Sequence, residues 1–470
     1  MTDAYSSLIL PDVRLMVAEG DRHGMSEFCK VLHPAVVANI LEELEPHEVW
    51  AILDHAELRL RVEIFEYIAL RRQSEMVEKL DKRRLSELLE GMSADDRVDL
   101  LSRMPYDRVE DLLPLIAQAE RNDIRRLLSY DEHSAGSIMT TEYASLPARI
   151  TVSEALHQLR QQAPDSETIY YIYIVNSARR LEGLISLREL ILAKPDAKLS
   201  ELMQRDVIRM RVDEDREDVV QELARYNFIA MPIVDNNDCL VGIVTHDDAM
   251  DVVQEEATED AYRQGGVEPL RDDYEDTPLP VILWKRGIWL LLLSIVALMT
   301  AGVAHHYEQA TKPGGARAGE APEGLTSALI FLFIPLVMAS GGNAGSQSST
   351  LFIRMFALQP TDAAVAGTGF RVDRELVLRE LAVAACLGGA LALLDFAVIQ
   401  FWFNLGMDRS FVVSLTVFLI VILGTTAGTI LPILLRRAGM DPAIMSNPLI
   451  AAIVDILGVV IFYEVALFLL

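Results

Sequence analysis

The sequence predicts a multidomain membrane protein: an all-α superhelical N-domain, a tandem pair of α+β repeats, an acidic connecting helix and a five-helix transmembrane domain. Three observations predict it. Charge is segregated: residues 1–280 hold 31 Lys/Arg against 57 Asp/Glu, and residues 281–470 hold 11 against 12. Five long apolar stretches all follow Pro280, and a segment near Tyr173 recurs 59 residues later. The expected parts are residues 1–132, 133–253, 254–280 and 281–470.

The first part reads as helix throughout, with few glycines and no strand runs. Apolar residues recur at helical spacing at Ile40-Leu41, Leu44 and Val49, then at Leu85, Leu88 and Leu89. Ser93-Ala94-Asp95-Asp96 opens a further helix, with Ser93 as its N-cap. Short helices in series make a superhelix, which by itself is a scaffold.

The repeat defines the second part. Tyr173-Ile174-Val175-Asn176, followed by Leu181, Gly183 and Ser186, returns as Pro232-Ile233-Val234-Asp235, followed by Leu240, Gly242 and Thr245. Upstream, Met139 and Leu159 pair with Met203 and Leu223 at a spacing of 64, and the five extra residues fit the polar stretch Gln161–Asp165. Each copy reads as a β-rich run, a polar turn, a second short strand and a helix. This resembles a tandem pair of CBS domains, whose two copies pack into one pseudo-symmetric module. In many such pairs a Thr and an Asp at the positions of Thr245 and Asp248 hold the ribose of an adenine nucleotide. The first copy carries Ser186 and Glu189 there. The resemblance makes ATP a candidate modulator.

Between the repeat and the first apolar stretch, carboxylates crowd shared helix faces. Asp248, Asp251 and Glu255 fall at i, i+3 and i+7, and Glu256, Glu259 and Asp260 at i, i+3 and i+4. Like charges so placed weaken an isolated helix by a few tenths of a kcal/mol, roughly, for each pair. A solvated face would mix in lysines, yet from Thr245 to Gln264 only Arg263 offsets the acids. Net charge for solubility is the general explanation of such acidity; this placement favours cations. Magnesium takes oxygen ligands, usually one or two carboxylates with several waters kept, and needs no His or Cys cluster. The acidic body also excludes nucleic acid as a partner, since phosphate binding needs a basic footprint. Cys29, Cys239 and Cys386 are widely separated, which fits a reducing compartment. Met1–Leu10 has no basic region before its apolar run, so no cleaved signal peptide is expected.

The apolar stretches Trp284–Ala304, Leu325–Phe352, Leu381–Phe403, Phe411–Leu435 and Pro448–Leu470 are each long enough to cross ~30 Å of lipid hydrocarbon. With the acidic body inside, inner flanks carry Lys285, Arg286, Arg354, Arg371, Arg374, Arg379, Arg436 and Arg437, against Lys312, Arg317 and Arg409 outside. This predicts a cytoplasmic N-terminus and an external C-terminus. Gly341-Gly342-Asn343-Ala344-Gly345-Ser346-Gln347-Ser348-Ser349 interrupts the second span. Small residues let helices pack closely. Asn343 and Gln347, with Pro335 upstream, suggest instead a helix lining a wet cavity. Asp455 is costly in an apolar helix unless it faces water or a cation, and two copies in a symmetric dimer would make a divalent-cation site on the axis. Glu464 reads as lying near the outer surface, and Asp395 has no evident role.

Taken in order, these residues resemble the MgtE magnesium channels along nearly the whole chain. The most specific pieces are Glu167-Thr168-Ile169-Tyr170-Tyr171-Ile172-Tyr173, Glu256-Ala257-Thr258-Glu259-Asp260, Gly341–Gln347, and Asp441-Pro442-Ala443 leading to Ser446-Asn447-Pro448 and Asp455. The resemblance implies a homodimer in the plasma (inner) membrane, with Asp455 of each subunit holding a hydrated magnesium ion. Gly341, Gly342, Asn343 and Asn447 would frame that pore site. It further implies that cytosolic Mg2+ bridges Glu63 and Asp95, then Asp215, Glu217 and the Ala224 carbonyl, and Asp248, Asp251, Glu256, Glu259 and Asp260 at the connecting "plug" helix. Bridging would close the pore, and mutual repulsion would open it. Asn227 stands where the family often has an aspartate ligand, and the outer loop Gly314–Gly324 is longer than usual.

The leading expectation is a Mg2+-gated magnesium channel. The alternatives are a gradient-coupled secondary transporter of divalent cations, using Asp395 and Asp455 as a proton relay, and a membrane-anchored nucleotide-responsive binding module. An enzyme is not expected, for the sequence has no nucleophile–base pair, phosphate loop or catalytic metal cluster.

Overall fold

Caps and prolines punctuate the N-terminal part into short helices. In the computed structural model, which describes residues 2–78, 80–163, 166–270, 274, 277–311, 328–357, 374–403, 406–438, 440–444 and 447–469, these are α1 (Thr2–Glu19), α2 (Arg22–Val31), α3 (Pro34–Leu41), α4 (Pro46–Leu53) and α5 (Leu58–Glu66). They continue as α6 (Leu70–Glu78), α7 (Lys82–Gly91), α8 (Ala94–Ser102), α9 (Tyr106–Leu112) and α10 (Gln118–Leu127). Pro34 and Pro46 sit in first turns, where the missing N–H costs nothing. Asp81 caps α7 by accepting from the Arg83 and Arg84 amides. The periodic positions Ile40, Leu41, Leu44, Val49, Leu85, Leu88 and Leu89 are all in the buried core.

The chain divides into two compact units, Met1–Val253 and Gln254–Leu470. The first unit continues with β1 (Tyr143–Leu146), α11 (Val152–Gln162), β2 (Thr168–Val175), β3 (Leu181–Ser186), α12 (Leu187–Leu192) and α13 (Leu199–Leu202). The second copy follows as β4 (Met210–Arg211), α14 (Arg216–Tyr226), β5 (Ala230–Val234) and β6 (Leu240–Thr245). Each copy builds a three-stranded sheet, one parallel pair and one antiparallel pair, in the orders β1-β2-β3 and β4-β5-β6. Both sheets break register at corresponding places, Ile174/Val175 and Ile233/Val234. The copies also exchange their leading segments. Thr140 and Ile243 bond each other's backbone at 2.8 and 2.9 Å, and Leu184 and Gln204 do so at 2.9 Å. Met139 therefore packs over Gly242 of the second copy, and Met203 over Gly183 of the first.

Helix α15 (His246–Gln264) follows β6, and the first unit ends within it, at Val253. It stops well short of residue 280. Gly266, at φ +68, lets its amide bond the Arg263 carbonyl while Val267 bonds Tyr262, which closes the helix end. Of the acidic positions beyond it, 272, 273, 275 and 276 lie outside the described residues.

The second unit holds α16 (Leu279–Thr311), α17 (Ala328–Ala357), α18 (Arg374–Phe401), α19 (Met407–Arg437) and α20 (Asn447–Leu469). By length and composition α16, α18, α19 and α20 can each cross a membrane. The remaining expected span is α17, whose 30 residues include the small polar run Gly341–Ser349. The expected outer loop Gly314–Gly324, and the span ends at Leu325 and Leu470, lie outside the described residues. Helix α19 is the hub: half of its most apolar window is buried, against 6% for α16. Gly341 and Gly345 of α17 meet Gly424 and Gly428 of α19 so closely that a Cβ on either α19 glycine would collide with the facing carbonyl oxygen. Small residues four apart on both helices permit that approach. Val337, Ile420, Val454, Val459 and Phe462 fill the space around it.

Candidate metal centre

In the first unit, carboxylates from three helices and from Glu167, just before β2, share one field. Ser93 caps α8 and donates from its hydroxyl to Asp96 at 3.0 Å, while its amide donates to Glu66 at 2.9 Å. Asp95 and Asp96 occupy the first turn of α8, where the helix dipole favours negative charge. At the start of α15, the buried Thr245 hydroxyl donates to Asp248. Burial first, then the carboxylates of Asp248, Asp96 and Glu167, hold Asp95 well above its ordinary pKa. Its Oδ1 is buried with no hydrogen-bond partner. Burial also pushes Glu66 up to about 7, with Asp96, Glu167 and Glu63 adding to it. Glu167 rises to about 7 through burial and then Asp248, and Asp248 itself to about 6 through burial and Asp247. Burial and Asp247 raise Asp251 as well.

Glu63, Asp95, Asp248 and Asp251 are thus brought into one region. Asp215, Glu217 and Ala224 lie elsewhere, spread along α14: Asp215 and Glu217 at its start and Ala224 in its last turn. Asp215 caps that helix through the Glu217 amide at 2.9 Å, and Gln221 donates to Glu217 at 3.1 Å. The Ala224 carbonyl accepts from the Asn227 amide at 3.2 Å. Asn227 ends the helix at φ 54, a conformation that asparagine tolerates. Among the described residues, no three His, Cys, Asp or Glu side chains converge as a ready-made metal cage. The donor set suits a hydrated magnesium ion, which keeps waters and needs one or two carboxylates. Thr245–Asp248 also has a counterpart in the first copy, where Ser186 donates to Glu189 at 2.7 Å across the cap of α12.

In the second unit, Glu256, Glu259 and Asp260 lie on the last turns of α15. Asp260 is pushed up to about 6, by burial first and then by Asp441 and Glu256, with Arg263 opposing. Arg263 pairs with both Glu259 and Asp441. Asp441 stands in the connection between α19 and α20, where it also accepts from the Ala443 amide at 2.8 Å.

Along the spans, Gly342 of α17 faces Ala451 of α20, and Gly341 faces Val454, one residue before Asp455. The Ser346 hydroxyl donates to the Asn447 carbonyl at 3.3 Å, and Thr350 to the Asn447 side chain at 3.4 Å. Asn343 and Gln347 are exposed on α17, and Asp455 is half-buried. Glu464 accepts from Tyr307 at 2.8 Å, and the Tyr307 and Tyr463 rings stack with centroids 4.8 Å apart. The C-terminal ends of α16 and α20 therefore meet at one face of the bundle.

Sequence reasoning does not single out Glu66, Gly424 or Gly428, and it reads Asp96 only as part of a helix start. The glycines carry a readable signal, the spacing of four that also separates Gly341 from Gly345. Glu66 carries none, because its burial comes from packing against the start of α8.

Comparisons with known proteins agree along the chain. The profile of divalent cation transporters of the MgtE type matches residues 334–465, the MgtE intracellular N domain matches 32–133, and the CBS domain matches 135–196 and 199–255. The magnesium transporter MgtE of Thermus thermophilus is 37% identical over 357 residues, which are 76% of this chain and 74% of that protein. That of Bacillus subtilis is 34% identical over 348 residues, 74% of this chain and 72% of the relative. The crystal structure of the soluble part of a magnesium transporter aligns over 54% of this chain and 99% of its own length, at 30% identity and a TM-score of 0.51.

Proposed function

The chain belongs to the MgtE family of magnesium transporters, and from that premise we propose that it is a passive magnesium channel closed by cytosolic Mg2+. As a member of that family it is a multi-pass membrane transporter with an intracellular N domain, and not an enzyme. The observation that carries the gating reading is the crowding of Asp95, Asp96, Glu167 and Asp248, whose pKa values all rise. Such a cluster is strained when its groups are ionised and empty of cations. Mg2+ bound there offsets the repulsion, and it shifts the equilibrium only insofar as it prefers the closed arrangement.

Glu63, Asp95, Asp248 and Asp251 are the proposed ligands at that cluster, directly or through water. Asp215, Glu217 and the Ala224 carbonyl form a second candidate group on α14, weakened by asparagine at 227. Glu256, Glu259 and Asp260 form a third at the end of α15. Asp455, with no ion-pair or hydrogen-bond partner among the described residues, is the proposed pore ligand. Two copies facing across a homodimer axis would share one hydrated ion, framed by Gly341, Gly342, Asn343 and Asn447. The meeting of the α16 and α20 ends at Tyr307 and Glu464 supports an external C-terminus, opposite the Asp441 side. Thr245 and Asp248 remain the proposed contacts for a modulating adenine nucleotide.

The test is Mg2+ uptake into proteoliposomes reporting through an internal dye. A channel passes Mg2+ down its own gradient with equal pH and sodium on both sides. Uptake that requires an imposed proton or sodium gradient would replace this reading with secondary transport.

A further inference from the structure

We propose that Arg263 is a resident counter-cation of the connecting helix: it occupies carboxylates that a divalent cation would otherwise bridge, and so sets the cation level needed for closure. The inference rests on the gating reading above and adds to it a residue that binds no ion.

Arg263 is the sole Lys or Arg between Thr245 and Gln264. It sits in the last turn of α15, a position where the helix dipole favours a cation. Its side chain does more than face the dipole. Nη2 pairs with Glu259 one turn back, and Nη1 with Asp441 in the α19–α20 connection. One planar guanidinium thus spans two carboxylates from separate elements, a geometry that a point-like ammonium reproduces poorly. The groups facing it are Glu259 and Asp260 on α15 and Asp441 across the gap, and Glu256 adds its charge to the field at Asp260. The site is sheltered: the Glu259 side chain is 17% exposed and that of Arg263 31%.

Bridging Glu259 to Asp441 is what a divalent cation would do at the same place. Asp441 also caps the Pro442–Ile444 turn that leads into α20, the helix carrying Asp455. Arg263 therefore ties α15 to the connection without any ion bound. It also charges a cation for entry, since each incoming ion meets a fixed positive charge. Two effects of opposite kind follow from its removal: the ion-free tether is lost, and the vacated carboxylates hold a divalent cation more tightly.

The experiment is hydrogen exchange of the Glu256–Gln264 amides in the full-length protein in lipid nanodiscs, across a Mg2+ titration. Arg263→Gln should lose protection at zero Mg2+ and gain it at a Mg2+ concentration about tenfold lower than wild type, the scale expected when a divalent ion no longer faces a unit charge at ~5 Å through water. Asp441→Asn should lose the same ion-free protection but need more Mg2+, because it deletes a ligand with the tether. Arg263→Lys should keep the wild-type midpoint and only part of the ion-free protection. A purely structural arginine would not move the midpoint downward. An Arg263→Gln midpoint that is unchanged or higher, in a protein whose wild type responds to Mg2+, overturns the role of Arg263 alone. A wild type that never responds to Mg2+ sinks the gating reading and the competition with it.

Discussion

The backbone of Gly424 runs against the carbonyl oxygen of Gly341 with no room for a Cβ between them. Gly428 repeats the contact against Gly345 one turn along, so α17 and α19 are joined backbone to backbone beside the proposed pore. A side chain could rotate away from a methyl group; a carbonyl of a packed helix cannot. Gly424→Ala and Gly428→Ala should each cost about 1–3 kcal/mol of overpacking strain. Thermal unfolding in nanodiscs measures this, with Gly389→Ala for comparison. Gly389, inside α18, has nothing within 4 Å, and its substitution should not destabilise the protein.

The exchanged methionines make a parallel case in the soluble unit. A Cβ on Gly242 would lie 2.6 Å from the Met139 sulfur and 2.8 Å from the Thr140 carbonyl oxygen. On Gly183 it would lie 2.8 Å from the Met203 sulfur and 2.9 Å from the Gln204 carbonyl oxygen. The sulfurs can yield, but the carbonyls belong to the segments that the copies exchange. Either alanine substitution should destabilise the repeat pair by about 1–3 kcal/mol. Equal midpoints for wild type and variants in urea would show that the exchange is loose.

Stability should depend on pH through Glu66 and Glu167. Both have folded pKa values of about 7 against an ordinary 4.5, chiefly from burial. Between those values the folded chain holds protons that the unfolded chain has released, so stability falls as pH rises through that window and levels off above it. Unfolding of the soluble unit within the full chain, followed without divalent cations from pH 5 to 8, should show a decreasing Tm. Glu66→Gln and Glu167→Gln should flatten that decrease. A Tm that climbs with pH would contradict the burial of these groups.

Asp95 joins stability to magnesium. Its buried Oδ1 has no partner, and Asp248, Asp96 and Glu167 surround it. Asp95→Asn removes a charge from that field while keeping the shape. At neutral pH it should raise Tm in the presence of EDTA and shrink the increment gained on adding Mg2+. An unchanged Mg2+ increment would remove Asp95 from the proposed ligand set.

Much of this architecture is legible in the residues, and the gaps have physical causes. The spacing of 59 between Gly183 and Gly242 locates both sheets, because a period in sequence becomes a repeated strand pair. The spacing of 64 between Met139 and Met203 identifies equivalent residues, yet it is silent on which glycine each one covers. That exchange is a tertiary choice, satisfied by backbone bonds between distant segments. The acidic pattern after Thr245 suggests a helix reaching 280, whereas Gly265-Gly266 ends it at Gln264; local backbone preference outweighs charge periodicity there. Asp95 and Asp248 are readable as acids on helix starts. Their neighbours Glu66 and Glu167 join the cluster only through folding, which no spacing in the chain announces.

The most direct test is Mg2+ current across inside-out membrane patches, recorded while internal Mg2+ is stepped upward, for wild type and Asp455→Ala. Wild-type current that falls as internal Mg2+ rises, together with its loss in Asp455→Ala, is the predicted result. Current that ignores internal Mg2+, or that persists undiminished without the Asp455 carboxylate, would contradict the account.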